Sequence, residues 1–276
     1  MNKKKLILGI IFIFSLFCLV FSSYKLLEYK LESEKTEKIL ENITEIAELS
    51  ESEEDSENET CEIEGHPCDD QYWKYLKTPF LSANISALKQ ENPDTVGWLQ
   101  VLGTNINYPF VQAYNNDFYL YTSFDGSRNS AGWVFLDYRN SQDLTDDNNI
   151  IYAHGRLDNT MFGSLRNLTK SNWLENPDNY LIRTKTETSS SVWQIFSIYI
   201  IPTTSDYLQT SFSSIEEKYY FLNTLKSRSN HNFGVSLSPS DKILTLSTCY
   251  DDTSRMVVHA KLLKSQETPN SSNSEA

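Results

Sequence analysis

The stretch ILTLSTCYDDTSRMVVHAKL, residues 243–262, reads as two strands joined by a short connection. In a strand, residues two apart share a face. Thr245, Ser247 and Cys249 therefore point one way, and Leu244 and Leu246 the other. The next run puts Arg255, Val257 and His259 on one side, with Met256 and Val258 opposite. Paired as antiparallel neighbours across the five-residue loop YDDTS, the two runs bring Cys249 and Arg255 face to face at the loop end of a sheet. A structural cysteine needs no such neighbour. A reactive one does, because the thiolate is the nucleophile and a nearby cation favours it. Arginine keeps its proton and cannot act as the base, but it can donate hydrogen bonds to a carbonyl or a developing oxyanion. The base has to come from elsewhere, and histidine is the natural candidate.

Four histidines compete. His66 lies in an acidic stretch, and His231, in the polar connection SNHNFG, reads as a solvated loop residue. His259 lies four residues along the strand from Arg255. At strand rise that is about 13 Å, which suits a packed strand histidine. His154 ends the run NIIYAH immediately before Gly155 and shares a face with Ile150 and Tyr152. It is placed at a strand end, as Cys249 is, and geometry alone leaves it a candidate rather than an assignment. Asp251 and Asp252 also lie close to Cys249. A carboxylate beside a thiolate raises the thiol pKa, so both read as exposed turn residues.

Further outward, short β-type runs alternate with Asn, Gly, Asp and Ser: GWLQVLG, NINYPFVQ, AGWVFLDYR, NIIYAHG, NYLIRT and SVWQIFSIYIIP. Runs of this length and spacing argue for a mainly β domain, a barrel or a sandwich. Helix is expected within QYWKYLKTPFLSANISALKQENPDT, with a stop near Pro93, and again over SSIEEKYYFLNTLKSR. In the second, Ser214 can cap, and Ile215, Tyr219, Leu222 and Leu225 recur at helical spacing. The domain is bounded as residues 71–265.

The chain has 276 residues, and a hydrophobic content of 39% is enough for a real core. The net charge of −13 sits almost wholly between Glu28 and Asp70, where seventeen acids face three lysines. The remainder is close to neutral, without the clustered basic residues that nucleic acid requires. Residues 25–70 read as an acidic stalk, largely disordered, with helix allowed in its first part. Before it, a basic tip at 1–5 precedes an apolar run that gives a membrane anchor over 6–24, with Tyr24 at its edge. A retained anchor is favoured over a cleaved signal peptide, because no clean small-x-small site follows. The lysines place the N-terminus in the cytoplasm and the rest of the chain outside. Residues 266–276 form a polar, disordered tail. Cys18 reads as lipid-facing filler. Cys61 and Cys68, in CEIEGHPC, could close a disulfide outside the cell, and with His66 they supply three ligands, one short of a closed zinc site. Cys249 is then the odd thiol.

Beyond these local readings, the chain resembles the class B sortases, cysteine transpeptidases of Gram-positive cell surfaces. The resemblance rests on NPDTVGWLQVLGTNINYPFVQ, NNDFYLYTSFDGSRNSAGWVFLDYRN, NNIIYAHGRLDNTMFGSL and ILTLSTC with its downstream arginine, in the family's order from about Asn92 to Leu262. It implies a closed β-barrel with N-terminal helices and a long helix before the cysteine-bearing strand. It implies a catalytic set of His154, Cys249 and Arg255, and a sorting-signal groove that includes Asn116, Leu120, Tyr152 and Ser247. A packing or strand-pairing role stays open for each of those last four. The implied partners are surface proteins with a C-terminal sorting signal, cleaved after Thr through a thioacyl enzyme, and an amine of peptidoglycan or lipid II. No cofactor and no metal are assigned. Two features depart from the family: the loop between Cys249 and Arg255 is short, and Ala153 stands where glycine is common. The cysteine pair at 61 and 68 is also foreign to its pattern. A secreted cysteine endopeptidase, a pilus-building sortase and an anchored binding module are the competing readings. A papain-like order of cysteine before histidine is the reverse of the order here, and no N-terminal lid of the pilus-building kind is evident.

Overall fold

The computed structural model describes residues 3–51, 70–251 and 253–268. In chain order the elements are α1 (Lys3–Ala47), β1 (Ser50–Glu51), α2 (Gln71–Leu76), β2 (Leu81–Ser82), α3 (Ile85–Glu91), β3 (Thr95–Val101), β4 (Asn107–Val111) and β5 (Phe135–Leu136). They continue with β6 (Asn148–Tyr152), α4 (Ser171–Leu174), β7 (Leu181–Thr186), β8 (Ser189–Pro202), α5 (Ile215–Ser227), β9 (Ile243–Cys249) and β10 (Ser254–Glu267). Eight strands close into a barrel in the order β10-β8-β7-β3-β4-β5-β6-β9, which settles the choice between barrel and sandwich. Most neighbours are antiparallel, but β4–β5 and β6–β9 are parallel. The long β8–β10 pair carries register shifts at His259/Ala260 and Leu262/Lys264. Such bulges bend a strand and help a sheet curl until its edges meet. The interior is filled by Trp98, Trp133, Trp193, Phe110, Phe162 and Phe196, all fully buried.

Helix α5 forms where its sequence places it, and Ser214 caps it by accepting from the Glu217 amide. Its inward face differs from the expected stripe. Lys218, Phe221, Leu222 and Leu225 are buried, whereas Ile215 and Tyr219 are exposed. The stripe turns because Lys218 Nζ reaches Asp147 at 2.5 Å, which lets a lysine occupy an inward position that pattern alone gives to an apolar residue.

At the N-terminus, α1 is long and apolar enough over its first part to cross a membrane. It runs unbroken well past Tyr24. The front of the expected stalk is therefore an attached helix. Ile43 and Ala47, four residues apart, are buried, with Ile39, Leu40 and Ile46 partly covered, and α1 packs on α3. A short apolar stripe among the acids anchors this segment. Lower on the helix, Glu32 accepts from Ser130, Ser33 donates to Asp158 at 2.6 Å, and the Arg156 guanidinium stacks 4.0 Å from the Tyr29 ring. The remainder of the stalk, 52–69, with Cys61, His66 and Cys68, lies outside the described residues, as do Asp252 and residues 269–276. Two residues of the tail expected from 266 are strand instead. Gln266 and Glu267 continue β10, paired with Ser190 and Ser189.

Candidate active site

Strand β9 lies between β6 and β10, and its two neighbours carry the other two candidates. Across the antiparallel pair, Arg255 is directly opposite Cys249. On the parallel side the last registered pair is Tyr152 with Ser247. Two residues beyond that pair stand His154, on the continuation of β6, and Cys249, at the end of β9. Both strands run toward the same rim, so the histidine and the cysteine leave the barrel side by side. Gly155 shows how close the two backbones come: a Cβ there would sit 2.1 Å from the Cys249 carbonyl oxygen. Only glycine permits that approach.

The loop after His154 folds back on itself. The Phe162 amide donates to the His154 carbonyl at 3.0 Å, and Gly155 and Met161 form an isolated bridge. Asn159 and the fully buried Met161 both adopt positive φ, at 64° and 51°. A buried side chain held in the left-handed region is strained, and surrounding packing has to over-determine it. The imidazole is fixed from the other side: Nε2 lies 2.8 Å from the Leu120 carbonyl oxygen. A carbonyl can only accept, so Nε2 carries the proton, and in the neutral ring Nδ1 holds the lone pair.

Cys249 is a free, exposed thiol. Among the described residues, the Arg255 guanidinium makes a hydrogen bond from Nη1 to the Ser254 carbonyl at 3.2 Å and no ion pair. Asp251 accepts from the amides of Thr253 and Ser254 at 2.8 and 2.7 Å and from the Thr253 hydroxyl. Those bonds, the Thr253 amide first, hold its carboxyl below the usual carboxylate range. It organises the turn.

These side chains sit at a groove of about 700 Å³ lined by Leu120, Tyr121, Phe135, Tyr152, Tyr207, Leu208 and the segment Thr203–Ser205, among others. All four groove residues named from the sequence line it, yet their polar groups are engaged within the protein. Asn116 donates to Asp137 at 3.0 Å and accepts from the Tyr138 amide. Tyr152 donates to the same Asp137 carboxylate at 2.9 Å. Ser247 and the Tyr207 hydroxyl are 2.9 Å apart. Leu120 offers its side chain to the groove and its carbonyl to His154. Asp137, buried at the centre of this set, also receives a two-pronged contact from Arg139 at 2.8 and 2.7 Å. Burial alone would raise its carboxyl, but Arg139, Tyr152 and Asn116 outweigh that and hold it low.

Asp137 and Tyr207 were not legible as site residues. The only signal for Asp137 is an acid two positions before an arginine at a strand end, in LDYR. The remaining histidines fall elsewhere. His259 is wholly buried in the barrel, between Thr245 and Tyr199 at 2.8 Å each, and burial pushes its pKa down to about 3. His231 meets the Tyr180 hydroxyl at 2.9 Å.

Comparison with known proteins agrees with this architecture. The sortase domain family matches residues 99–263. Sortase B of Staphylococcus aureus is 34% identical over 184 residues, 65% of this chain and 75% of the relative. The crystal structure of sortase B from B. anthracis in complex with AAEK1 superposes with a TM-score of 0.68 at 29% identity, over 85% of this chain and 99% of that one. The Staphylococcus aureus sortase B–substrate complex gives a TM-score of 0.61 at 34% identity, over 65% and 84%. On the strength of the barrel, the groove and these matches, the chain belongs to the sortase family of cysteine transpeptidases, in its class B.

Proposed function

We propose that the chain is a membrane-anchored transpeptidase that cleaves a C-terminal sorting signal after Thr and transfers the protein to an amine of the cell wall. The observation that carries this reading is the placement of Cys249 between two neighbours: Arg255 across one strand pair and the His154 loop at the end of the other. An extended peptide lying in the groove presents its carbonyl to the Cys249 thiolate. Sulfur adds to the carbonyl carbon, and the Arg255 guanidinium donates to the oxyanion that forms. As the C–N bond breaks, protonated His154 gives its proton to the leaving amine. The resulting thioester splits one difficult exchange into two easier ones. An incoming amine then attacks the thioester and passes its proton to His154, and the thiolate leaves. With Nε2 bonded to the Leu120 carbonyl, Nδ1 is the nitrogen through which the proton moves in both halves.

Helix α1 supplies the anchor, with Lys3–Lys5 on the cytoplasmic side and the barrel outside. The amine belongs to peptidoglycan or its lipid-linked precursor, lipid II. The test uses the full chain in detergent, a peptide with a Thr-Asn or Thr-Gly junction, and triglycine as acceptor. The expected result is a thioester on Cys249 visible by intact mass, resolved to a new amide when triglycine is added and absent in Cys249→Ala. Cleavage at many junctions at a rate independent of the amine would overturn the reading in favour of an endopeptidase.

A further inference from the structure

Arg166 lies twelve residues beyond His154, in the 3-10 segment Gly163–Thr169, and touches both halves of the site without lining the groove. Its Nη2 donates to the Gly155 carbonyl at 3.0 Å and to the Tyr250 carbonyl at 3.0 Å. These are the carbonyls of the residues that follow His154 and Cys249. The guanidinium also lies over the Tyr250 ring, 5.7 Å from its centre. Its Nε is buried with no hydrogen-bond partner among the described residues. A buried, unpaired donor on a charged group costs stability, so the Arg166 side chain is held here at some expense to the fold.

We infer that Arg166 is a positioning residue that ties the loop carrying His154 to the end of the strand carrying Cys249. The need for such a tie follows from the backbone. Strand β6 stops at Tyr152 and its ladder to β9 ends at Ser247, so the β6–β9 pairing does not reach Ala153 and His154 on one side or Thr248 and Cys249 on the other. The loop beyond is strained at Met161, and Gly155 is packed against the Cys249 carbonyl. One nitrogen donating to both carbonyls bridges the gap the ladder leaves open. A guanidinium suits this place because it is planar, permanently charged and able to stack on an aromatic face while donating.

The inference rests on the proposed roles of His154 and Cys249, and its test reads a property that does not require them to be right about substrate. Arg166→Met removes the donors and keeps the bulk, and Arg166→Lys restores a nitrogen with donors to spare. In the full chain, the rate of Cys249 alkylation by iodoacetamide is followed against pH, beside transfer of the Thr-junction peptide to triglycine. In Arg166→Met, kcat is expected to fall by about 10–100-fold with KM within about twofold, as for a small misplacement of reacting groups. The alkylation midpoint should rise by about half a pH unit or more, because the variant removes a cation bonded to the carbonyl next to Cys249 and loosens the loop that carries His154. Arg166→Lys should recover most of kcat and return the midpoint toward that of the parent chain. An unchanged midpoint and unchanged kcat in Arg166→Met would overturn the inference. A loss that Arg166→Lys fails to recover, matched by an equal fall in melting temperature in both variants, would assign Arg166 to folding alone. If Cys249→Ala still transferred peptide, the proposed function would fail, while the alkylation midpoints would still judge the bridge.

Discussion

Two histidines on neighbouring parts of the barrel show opposite uses of the same side chain. Around His259 every polar atom is matched. Thr245 donates to Asn148 at 2.6 Å, so its oxygen accepts from His259 Nδ1, and Nε2 accepts from the Tyr199 hydroxyl. The chain of bonds continues through Asn148 to the carbonyls of Tyr207 and Gln209. At the rim, among the described residues, His154 is bonded through one nitrogen, and Cys249 and Arg255 keep hydrogen-bonding capacity unused. A buried network fully satisfied gives rigidity. A site left partly unsatisfied at the edge of such a network gives reactivity, and the interior keeps its members in place.

The contrast breaks first at the proposed nucleophile. Cys249→Ala is expected to lower transfer by about 10⁴-fold or more while the melting temperature stays close to the parent value, since the thiol is exposed and makes no hydrogen bond among the described residues; a calorimetric scan beside the transfer assay checks both. Gly155→Ala comes next, because the added methyl must push the His154 loop off the Cys249 carbonyl. A fall in kcat of about 10–100-fold is expected, read most directly as slower thioester formation in single-turnover measurements. In the interior the sign of the effect reverses. His259→Leu should cost about 2–3 kcal/mol in urea unfolding, because the buried Tyr199 hydroxyl loses its acceptor and the Thr245 oxygen loses a donor, and the protein that remains folded should transfer peptide at nearly the parent rate.

Acid sharpens the same comparison. Unfolded His259 takes up a proton near pH 6.5, but the folded residue does so only at about 3. Between those values the unfolded chain binds more protons, so stability falls as pH is lowered through that window and this group has no effect above it. Urea midpoints should drop with a slope of up to about 1.4 kcal/mol per pH unit from this residue, and His259→Leu should flatten the curve there. The smallest effect is expected at Asp251→Ala, a turn residue two positions after Cys249. Transfer should change by less than about threefold, against the 10²–10⁴-fold typical of a lost acid–base group.

Much of this site could be read from residue order, because its key pairing is local. Alternation along 243–262 fixes which side chains share a face, and a short loop fixes the register, so Cys249 opposite Arg255 follows from a few residues. His154 is different. It reaches the cysteine through a parallel pairing of β6 with β9, which no turn signals, and the family resemblance carried that step. The inward face of α5 does not follow from spacing, because Lys218 has a partner, Asp147, far away in sequence. Asp137 was invisible for the same reason: its meaning lies in Asn116, Arg139 and Tyr152, drawn from three segments. The attached part of α1 was hidden by its charge, since a few apolar residues among many acids suffice once a surface exists for them to meet.

Because β6 and β9 leave the barrel in parallel and in fixed register, the interval between histidine and cysteine is set by two adjacent strands, with the Arg166 bridge beside them, and not by the segment between β8 and β9. Residues 203–242, which supply one wall of the groove and α5, can therefore be lengthened, shortened or exchanged between relatives without altering that interval. Chimeras that graft a foreign segment between β8 and β9 would retune which peptides are accepted while inheriting the same chemical centre.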